Sequence, residues 1–412
     1  MKNQVLVIGA GASGLVAAIS AARQGVNVTL LEKNDRVGKK LLATGNGRCN
    51  VWNVYPAPYH GDNDFVQALF STYPLSQVES FFRSLGLAFR EEEGGRVYPA
   101  SGHGQSVLDV LRLSLSHHQV RLITESKAVS LIKTANGFHC KTQEGETISA
   151  DRVVVTGGGK AYAKLGSDGS VYPLLASLGH RLIPPLPALT PLEADMRDIK
   201  GLNGIRSKAA LSPLSSTLPI KAQEGEILFT NYGVSGIAAM ALGEYFHQGG
   251  TLSIDFSPAA NMDKATLEKE LFTRRNLFSS FTLEHFFTGL FHKLLGFAFF
   301  KKANIAPLSR LGNSLSDQEL AALLQAITSF SLSITGTKGF EHAQVTAGGI
   351  DTKDFSPLTM ESSLVPGLYS AGEVLNIHGP CGGYNLLFAF TSGFAAGKNA
   401  GFTISSPAGQ RG

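Results

Sequence analysis

Residues 5–8 form an unbroken apolar run that ends in Gly9-Ala-Gly-Ala-Ser-Gly14. A helical pattern follows over 15–23 and a second apolar run over 26–31, so strand, glycine turn, helix and strand predict a βαβ unit. From about 37 to 60 the periodicity dissolves into Gly, Lys, Asn and Pro. Helical stretches over 64–85 and 106–117 then alternate with strand-like ones over 121–125, 128–134 and 138–142. Residues 152–156 read as another buried strand, which runs into Gly157-Gly158-Gly159.

Pro184, Pro185, Pro187 and Pro191 mark the clearest boundary in the chain. Beyond them, 191–260 gives short β-like runs punctuated by Gly and Pro, and 261–339 reads mainly as helix rich in Phe and Leu. Near 340 the glycine-rich strand-and-turn texture returns, ending in a helix of small residues that opens at Gly382-Gly383-Tyr384-Asn385. The expected organisation is an α/β domain in two parts, 1–190 and 340–412, interrupted by an α+β insert with a β-rich part (191–260) and a helical cap (261–339).

Composition narrows the function. Of 412 residues, 43% are hydrophobic and 17% charged, which fits a folded globular chain. The net charge of +4 comes without a basic tract, so no nucleic-acid partner is expected. Glycine, at 46 residues, is the abundant type, and it is gathered into clusters where backbone can approach a ligand. Cys49, Cys140 and Cys381 are too widely spaced for a metal or redox pair, and no metal site is expected. The chain starts directly on a strand, without a charged and then apolar leader, which reads as cytoplasmic. The most apolar stretch, 290–300, is broken by His292, Lys293 and Gly296 and reads as a core helix, not a membrane span.

The first motif carries chemistry because its context is complete. Gly9 makes the tight turn, Gly11 lets a pyrophosphate approach the backbone, and Gly14 allows close helix-to-strand packing. Ala12 and Ser13 open the helix whose positive end faces the phosphate charge. Glu32, 18 positions after Gly14, closes the next strand and can accept both ribose hydroxyls of an adenosine. This unit serves NAD or FAD alike. The C-terminal segment favours FAD, since Gly367-Leu-Tyr-Ser-Ala-Gly-Glu373 and the glycine-rich helix start at Gly382 return from the far end of the chain. A long FAD molecule needs such an element, and a helix opening near Asn385 would place its positive end on the flavin N1 and O2 edge.

Several longer segments resemble a family of bacterial FAD-dependent flavoproteins that includes aminoacetone oxidase and NAD(P)H-dependent bile-acid reductases. They are Gly38-Lys-Lys-Leu-Leu-Ala-Thr-Gly-Asn-Gly-Arg-Cys-Asn50, Gly95-Arg-Val-Tyr-Pro99, Val155-Thr-Gly-Gly-Gly-Lys160, Glu226 to Gly236, Val345-Thr-Ala-Gly-Gly-Ile350 and Val365 to Asn385. The resemblance implies a Rossmann-like, two-dinucleotide-type FAD-binding domain with an inserted cap and a substrate held between them. It implies that Lys33, Lys40 and Leu41 lie along the adenosine and pyrophosphate, and that Thr44, Gly45, Asn46 and Arg48 come near the flavin. It also implies a backbone contact from Val129 to adenine, support from Thr156 and Gly157, and contact of Gly372 and Glu373 with the ribityl-phosphate region. Gly383, Tyr384 and Asn385 would cap the flavin pyrimidine edge. Glu373 stands where many FAD proteins carry Asp.

The expected activity is hydride transfer between a small organic substrate and non-covalently bound FAD, with NAD(P)H as a transient co-substrate or oxygen as redox partner. A single dinucleotide fingerprint argues against a dedicated nicotinamide domain, and one tryptophan, Trp52, cannot make a halogenase motif. Arg48 is a candidate for steering an anionic substrate or stabilising reduced flavin, against the alternative of a structural arginine bonding loop carbonyls. Tyr98 and His378 are candidate proton donors, with a satisfied structural histidine as the alternative for His378. His117 and His118 read as solvated, Cys49 and Cys381 as packing, and the phenylalanines of 278–300 as core. Two other classes stay open: a flavoprotein acting on RNA and a flavin-binding protein without turnover.

Overall fold

The computed structural model describes residues 3–214 and 222–402. It divides into two compact units, one built from 1–186 and 345–412 and the other from 187–344.

The first unit is organised around a five-stranded parallel sheet. Its order is Leu368–Ser370, Arg152–Val155, Gln4–Ile8, Asn27–Leu31 and Arg121–Ile123. Val7 sits opposite Leu30 on one side and Val154 on the other, and Val154 opposite Tyr369. Both faces of such a sheet are covered, so its strands are apolar throughout. Val5, Leu6 and Val7 accordingly have no exposed surface. The helix Ala12–Ala22 packs along the C-terminal helix Tyr384–Gly401 through glycines spaced four apart. A Cβ on Gly393 would lie 2.3 Å from the Ser13 carbonyl oxygen, and one on Gly397 would lie 2.1 Å from that of Ala17. Those glycines let two backbones meet, with the start of the first helix against the middle of the C-terminal one.

Smaller sheets flank this layer. Ala128–Thr134, Gly137–Thr142 and Thr147–Ala150 form an antiparallel meander. Trp52–Asn53, Arg96–Pro99 and Phe89–Glu92 form a second three-stranded sheet, and Ile377–His378 pairs with His60–Gly61.

The second unit contains a closed six-stranded barrel in the order Leu192–Ala194, Gly233–Ser235, Gln223–Phe229, Arg206–Pro213, Gly250–Asp255 and Phe330–Thr337. Helices Lys264–Leu277, Lys293–Lys302 and Asp317–Thr328 belong to the same unit. Phenylalanines from the connecting segments and the last strand help to form its core: Phe286 and Phe287 meet edge to face at 5.2 Å, and Phe256 and Phe330 at 5.9 Å. Here the structure differs from the sequence reading, which placed 261–339 in a helical cap. Phe330–Thr337 is a strand with alternating burial that joins Gly250–Asp255 to Leu192–Ala194 and so closes the barrel. Among the described residues, no helix is long and apolar enough to cross a membrane.

Candidate functional site

The glycine turn after the first strand is shaped by close backbone approach. Gly9 has φ +105°, and a Cβ there would lie 2.8 Å from the Thr156 carbonyl oxygen and 2.8 Å from Gly157 Cα. A Cβ on Gly14 would lie 1.8 Å from the Gly9 carbonyl oxygen. Gly11 is the exception. Nothing lies within 4 Å of its hypothetical Cβ, and it caps a helix that has no side-chain cap and no acid in its first turn. Open space in front of uncapped helix N–H groups is the arrangement an anionic pyrophosphate requires.

Three segments close around this turn. Thr156 is buried, and its hydroxyl donates toward the carbonyls of Ile8 and Gly9, 3.0 and 2.8 Å away. Glu32 is buried at the end of Asn27–Leu31 and accepts from Ala10 N (2.9 Å), Asn34 N (2.8 Å) and Asn34 Nδ2 (2.7 Å). Gly372, with φ +78°, lies against Ser13, where a Cβ would fall 2.5 Å from Oγ; its N–H donates to Ser392 Oγ at 3.0 Å. Residues 358 positions apart are joined here, since Ser13 Oγ reaches the Ala371 carbonyl at 3.4 Å.

The lysines expected along the dinucleotide each meet a carboxylate. Lys33 pairs with Asp168 at 2.5 Å and reaches Ser170 Oγ at 3.3 Å. Burial pushes the Asp168 carboxyl up, but the bonds from Lys33 and Ser170 outweigh it and hold the group down at about 2. Lys40 pairs with Glu373 at 2.5 Å. Leu41 is buried in the apolar core, and Val129 lies in Ala128–Thr134 with its side chain half exposed.

The polar loop after Lys39–Ala43 turns through left-handed conformations at Gly45 (φ +56°) and Asn46 (φ +54°). Thr44 Oγ1 closes it on the Leu41 carbonyl at 2.7 Å. The turn presents Arg48, whose guanidinium stacks over the Tyr98 ring at 4.1 Å and pairs with Glu92 at 2.5 Å. Arg90 binds the same Glu92 oxygen at 2.7 Å. The Arg48 bond holds Glu92 below the usual carboxylate range, despite some opposing desolvation. Tyr98 is positioned by Arg96–Pro99, in which it sits opposite Arg90. Arg48 and Tyr98 are therefore brought together. His378 lies in a separate pair of strands, opposite His60, with the two rings stacked at 4.8 Å.

At the second glycine-rich turn, Gly383 has φ +102°, and a Cβ there would lie 2.5 Å from the Trp52 carbonyl carbon. The Tyr384 carbonyl accepts from Tyr59 Oη at 2.8 Å. Asn385 binds its own loop: Oδ1 accepts from Gly379 N (2.8 Å), and Nδ2 donates to the carbonyls of Gly379 (2.8 Å) and Pro380 (3.2 Å).

Sequence reasoning missed Glu92, Asp168 and the turn around it. A usable signal was present, because Gly166-Ser-Asp-Gly169 is a glycine-and-acid turn like Gly372-Glu373. Ser167 Oγ and Tyr172 Oη are buried in this segment without a hydrogen-bond partner among the described residues. Buried hydroxyls of this kind commonly await a ligand or water. Burial, then the neighbouring Glu373 charge, pushes the Tyr172 phenol upward. The open cradle, uncapped helix and waiting hydroxyls fit a dinucleotide.

A family model described as HI0933-like protein Rossmann domain matches residues 3–399. The chain belongs to that family. It is 36% identical to the 3-dehydro-bile acid delta(4,6)-reductase of Clostridium scindens, over 97% of this chain and 99% of that protein. It is 28% identical to the ribosomal RNA dihydrouridine synthase of Escherichia coli, over 97% and 98%. The 3-ketosteroid delta1-dehydrogenase of Sterolibacterium denitrificans shares the fold, with a TM-score of 0.51 at 14% identity over 97% of this chain and 99% of that one. This family member is an FAD-dependent oxidoreductase with an α/β Rossmann FAD-binding fold.

Proposed function

We propose that this family member reduces a small, largely apolar organic substrate at a conjugated carbon–carbon double bond, with NAD(P)H as electron donor. When bound, FAD supplies the hydride chemistry. Gly11, Ala12 and Ser13 would hold its pyrophosphate, Glu32 its adenosine ribose, and Gly372 with Glu373 its ribityl-phosphate region. Thr156 and Gly157 back the turn, and Lys33 and Lys40 would supply positive charge for the phosphates. The Arg48 loop and the Gly383 turn would take the ring. Substrate reduction adds one hydride and one proton across the double bond, and Tyr98 donates the proton from its hydroxyl. Arg48, stacked on that phenol, carries positive charge that stabilises the negative charge building up on the substrate before that proton arrives.

The observation that carries this reading is the Arg48–Tyr98 stack, a cation and a proton donor held together by the hairpin 89–99 and the loop 44–48. The likeness to a bile-acid reductase over the whole length supports the substrate class. So does the charge of the insert. The unit 187–344 has fourteen basic and fourteen acidic side chains, without the surplus that binding to a phosphate backbone favours. The dihydrouridine synthase relative gives a second reading, reduction of a uracil ring in RNA.

The test is anaerobic steady-state reduction of α,β-unsaturated steroid ketones and of a uridine-containing ribosomal RNA fragment, each with NADH or NADPH. With one dinucleotide fingerprint, donor and substrate take turns at one face, and double-reciprocal plots give parallel lines. Turnover of the RNA alone would shift the reading to the second class. Intersecting lines would overturn the shared face, and in a separate aerobic assay peroxide formed in step with loss of an amine would show an oxidase.

A further inference from the structure

We propose that Thr346 is a positioning residue for the cofactor: it sets Glu373, and through Glu373 the Lys40 ammonium, in place for the dinucleotide. The proposal rests on FAD binding as described above and assigns a role to a side chain to which the sequence reading gave none.

Thr346 lies in Val345–Ile350 with no exposed surface. A threonine hydroxyl offers one donor and two acceptor positions. All three are occupied here. Oγ1 accepts from Lys160 N at 2.8 Å and Ala161 N at 3.1 Å, so its one proton goes to Glu373 Oε1, 3.0 Å away. The Thr346 backbone N–H donates to the same oxygen at 2.9 Å. The two N–H groups from 160 and 161 thus dictate the direction of the hydroxyl proton, and that proton dictates which way the Glu373 carboxylate faces.

With Oε1 doubly held, Oε2 is turned to Lys40 at 2.5 Å. A carboxylate has about four lone-pair sites. Three bonds, two at Oε1 and one at Oε2, leave an acceptor site on Oε2 for a ligand hydroxyl such as that of a ribityl chain. The fit is tight: a Cβ on Gly159 would fall 2.4 Å from Thr346 Oγ1 and 2.9 Å from Glu373 Oε1. The Gly159 backbone thus runs close against both groups, an approach that a side chain there would prevent. Tyr172, whose buried hydroxyl has no hydrogen-bond partner among the described residues, feels the Glu373 charge from the turn on the other side. Lys40 and Thr346 both bond this carboxylate while the Gly159 backbone runs alongside it, a degree of control that packing alone does not require.

The test compares FAD dissociation constants of the full-length protein, stripped of flavin and titrated, for wild type, Thr346→Val, Thr346→Ser, Glu373→Gln and the double variant Thr346→Val/Glu373→Gln. Valine is expected to weaken FAD binding by about tenfold or more, the scale of a hydrogen bond to a charged group. Serine keeps the hydroxyl and stays within about threefold of wild type on the same reasoning. Valine also leaves the N–H groups of 160 and 161 unmet, so a lower melting temperature in that variant decides nothing, and the double variant does. If Thr346 acts through Glu373, the double variant binds FAD no more weakly than Glu373→Gln. If the two losses multiply, or if valine binds as wild type does, the proposal is overturned. A wild-type chain that takes up no FAD would instead overturn the cofactor reading beneath it.

Discussion

Replacing Gly11 with alanine separates ligand binding from folding. Its backbone, φ −81° and ψ −164°, is open to any L residue, and the added methyl meets nothing within 4 Å. The flavin-free protein should therefore lose no stability to strain or clash. Fewer accessible unfolded states favour the alanine variant by ~0.4–1 kcal/mol. The methyl does, however, occupy the space through which a pyrophosphate reaches the helix N-terminus. Overpacking of that kind costs about 1–3 kcal/mol, which raises the FAD dissociation constant by roughly 5- to 150-fold. Gly14→Ala is the contrasting case. Its Cβ would lie 1.8 Å from a backbone carbonyl oxygen that cannot swing aside, so the flavin-free chain itself should lose more than about 3 kcal/mol. Urea unfolding of both stripped variants, with FAD titration followed by flavin fluorescence, reads the two effects separately. Gly11→Ala binding FAD as tightly as wild type would refute the assignment of that cradle.

Two further outcomes follow from the charged contacts. Arg48→Ala should slow reoxidation of the reduced flavin by the unsaturated substrate by about tenfold or more while FAD affinity changes little, since the side chain contacts Tyr98 and Glu92; rapid-mixing reoxidation at the wild-type rate would remove it from the mechanism. Asp168 has a folded-state pKa of about 2, below its unfolded value near ~3.9, so its pair with Lys33 adds stability above about pH 4 that is lost as pH falls toward 2. Asp168→Asn should therefore be less stable than wild type at neutral pH, with the gap closing across that window in urea midpoints. A gap that stays constant across it would contradict the ion pair's role.

The parts of the fold readable from sequence are those whose signals are local. Residues 5–31 carry strand, turn and helix periods within one short segment, so the unit and its acid, Glu32, could be placed without any partner. The barrel could not. Leu192–Ala194 pairs with Phe330–Thr337 across more than a hundred residues, and the period-two alternation of that last strand follows directly on the helical pattern of 317–328. The site divides in the same way. Gly9, Gly11 and Gly14 announce themselves by spacing, whereas the partners of Lys40 and Arg48 lie 333 and 44 positions away, and no pattern in the chain links them. Asn385 shows the limit of motif reasoning: the residue stands where expected, yet its amide braces the loop before its helix.

The central claim is that the glycine cradle, Glu32 and the returning C-terminal turn together hold FAD. Denaturing the purified full-length protein and chromatographing the released cofactor tests this most directly. The account predicts a yellow protein that releases intact FAD, without covalent attachment, in a ratio of about one per chain, as a single dinucleotide cradle implies. Recovery of FMN, or of no flavin after incubation with excess FAD, would contradict it.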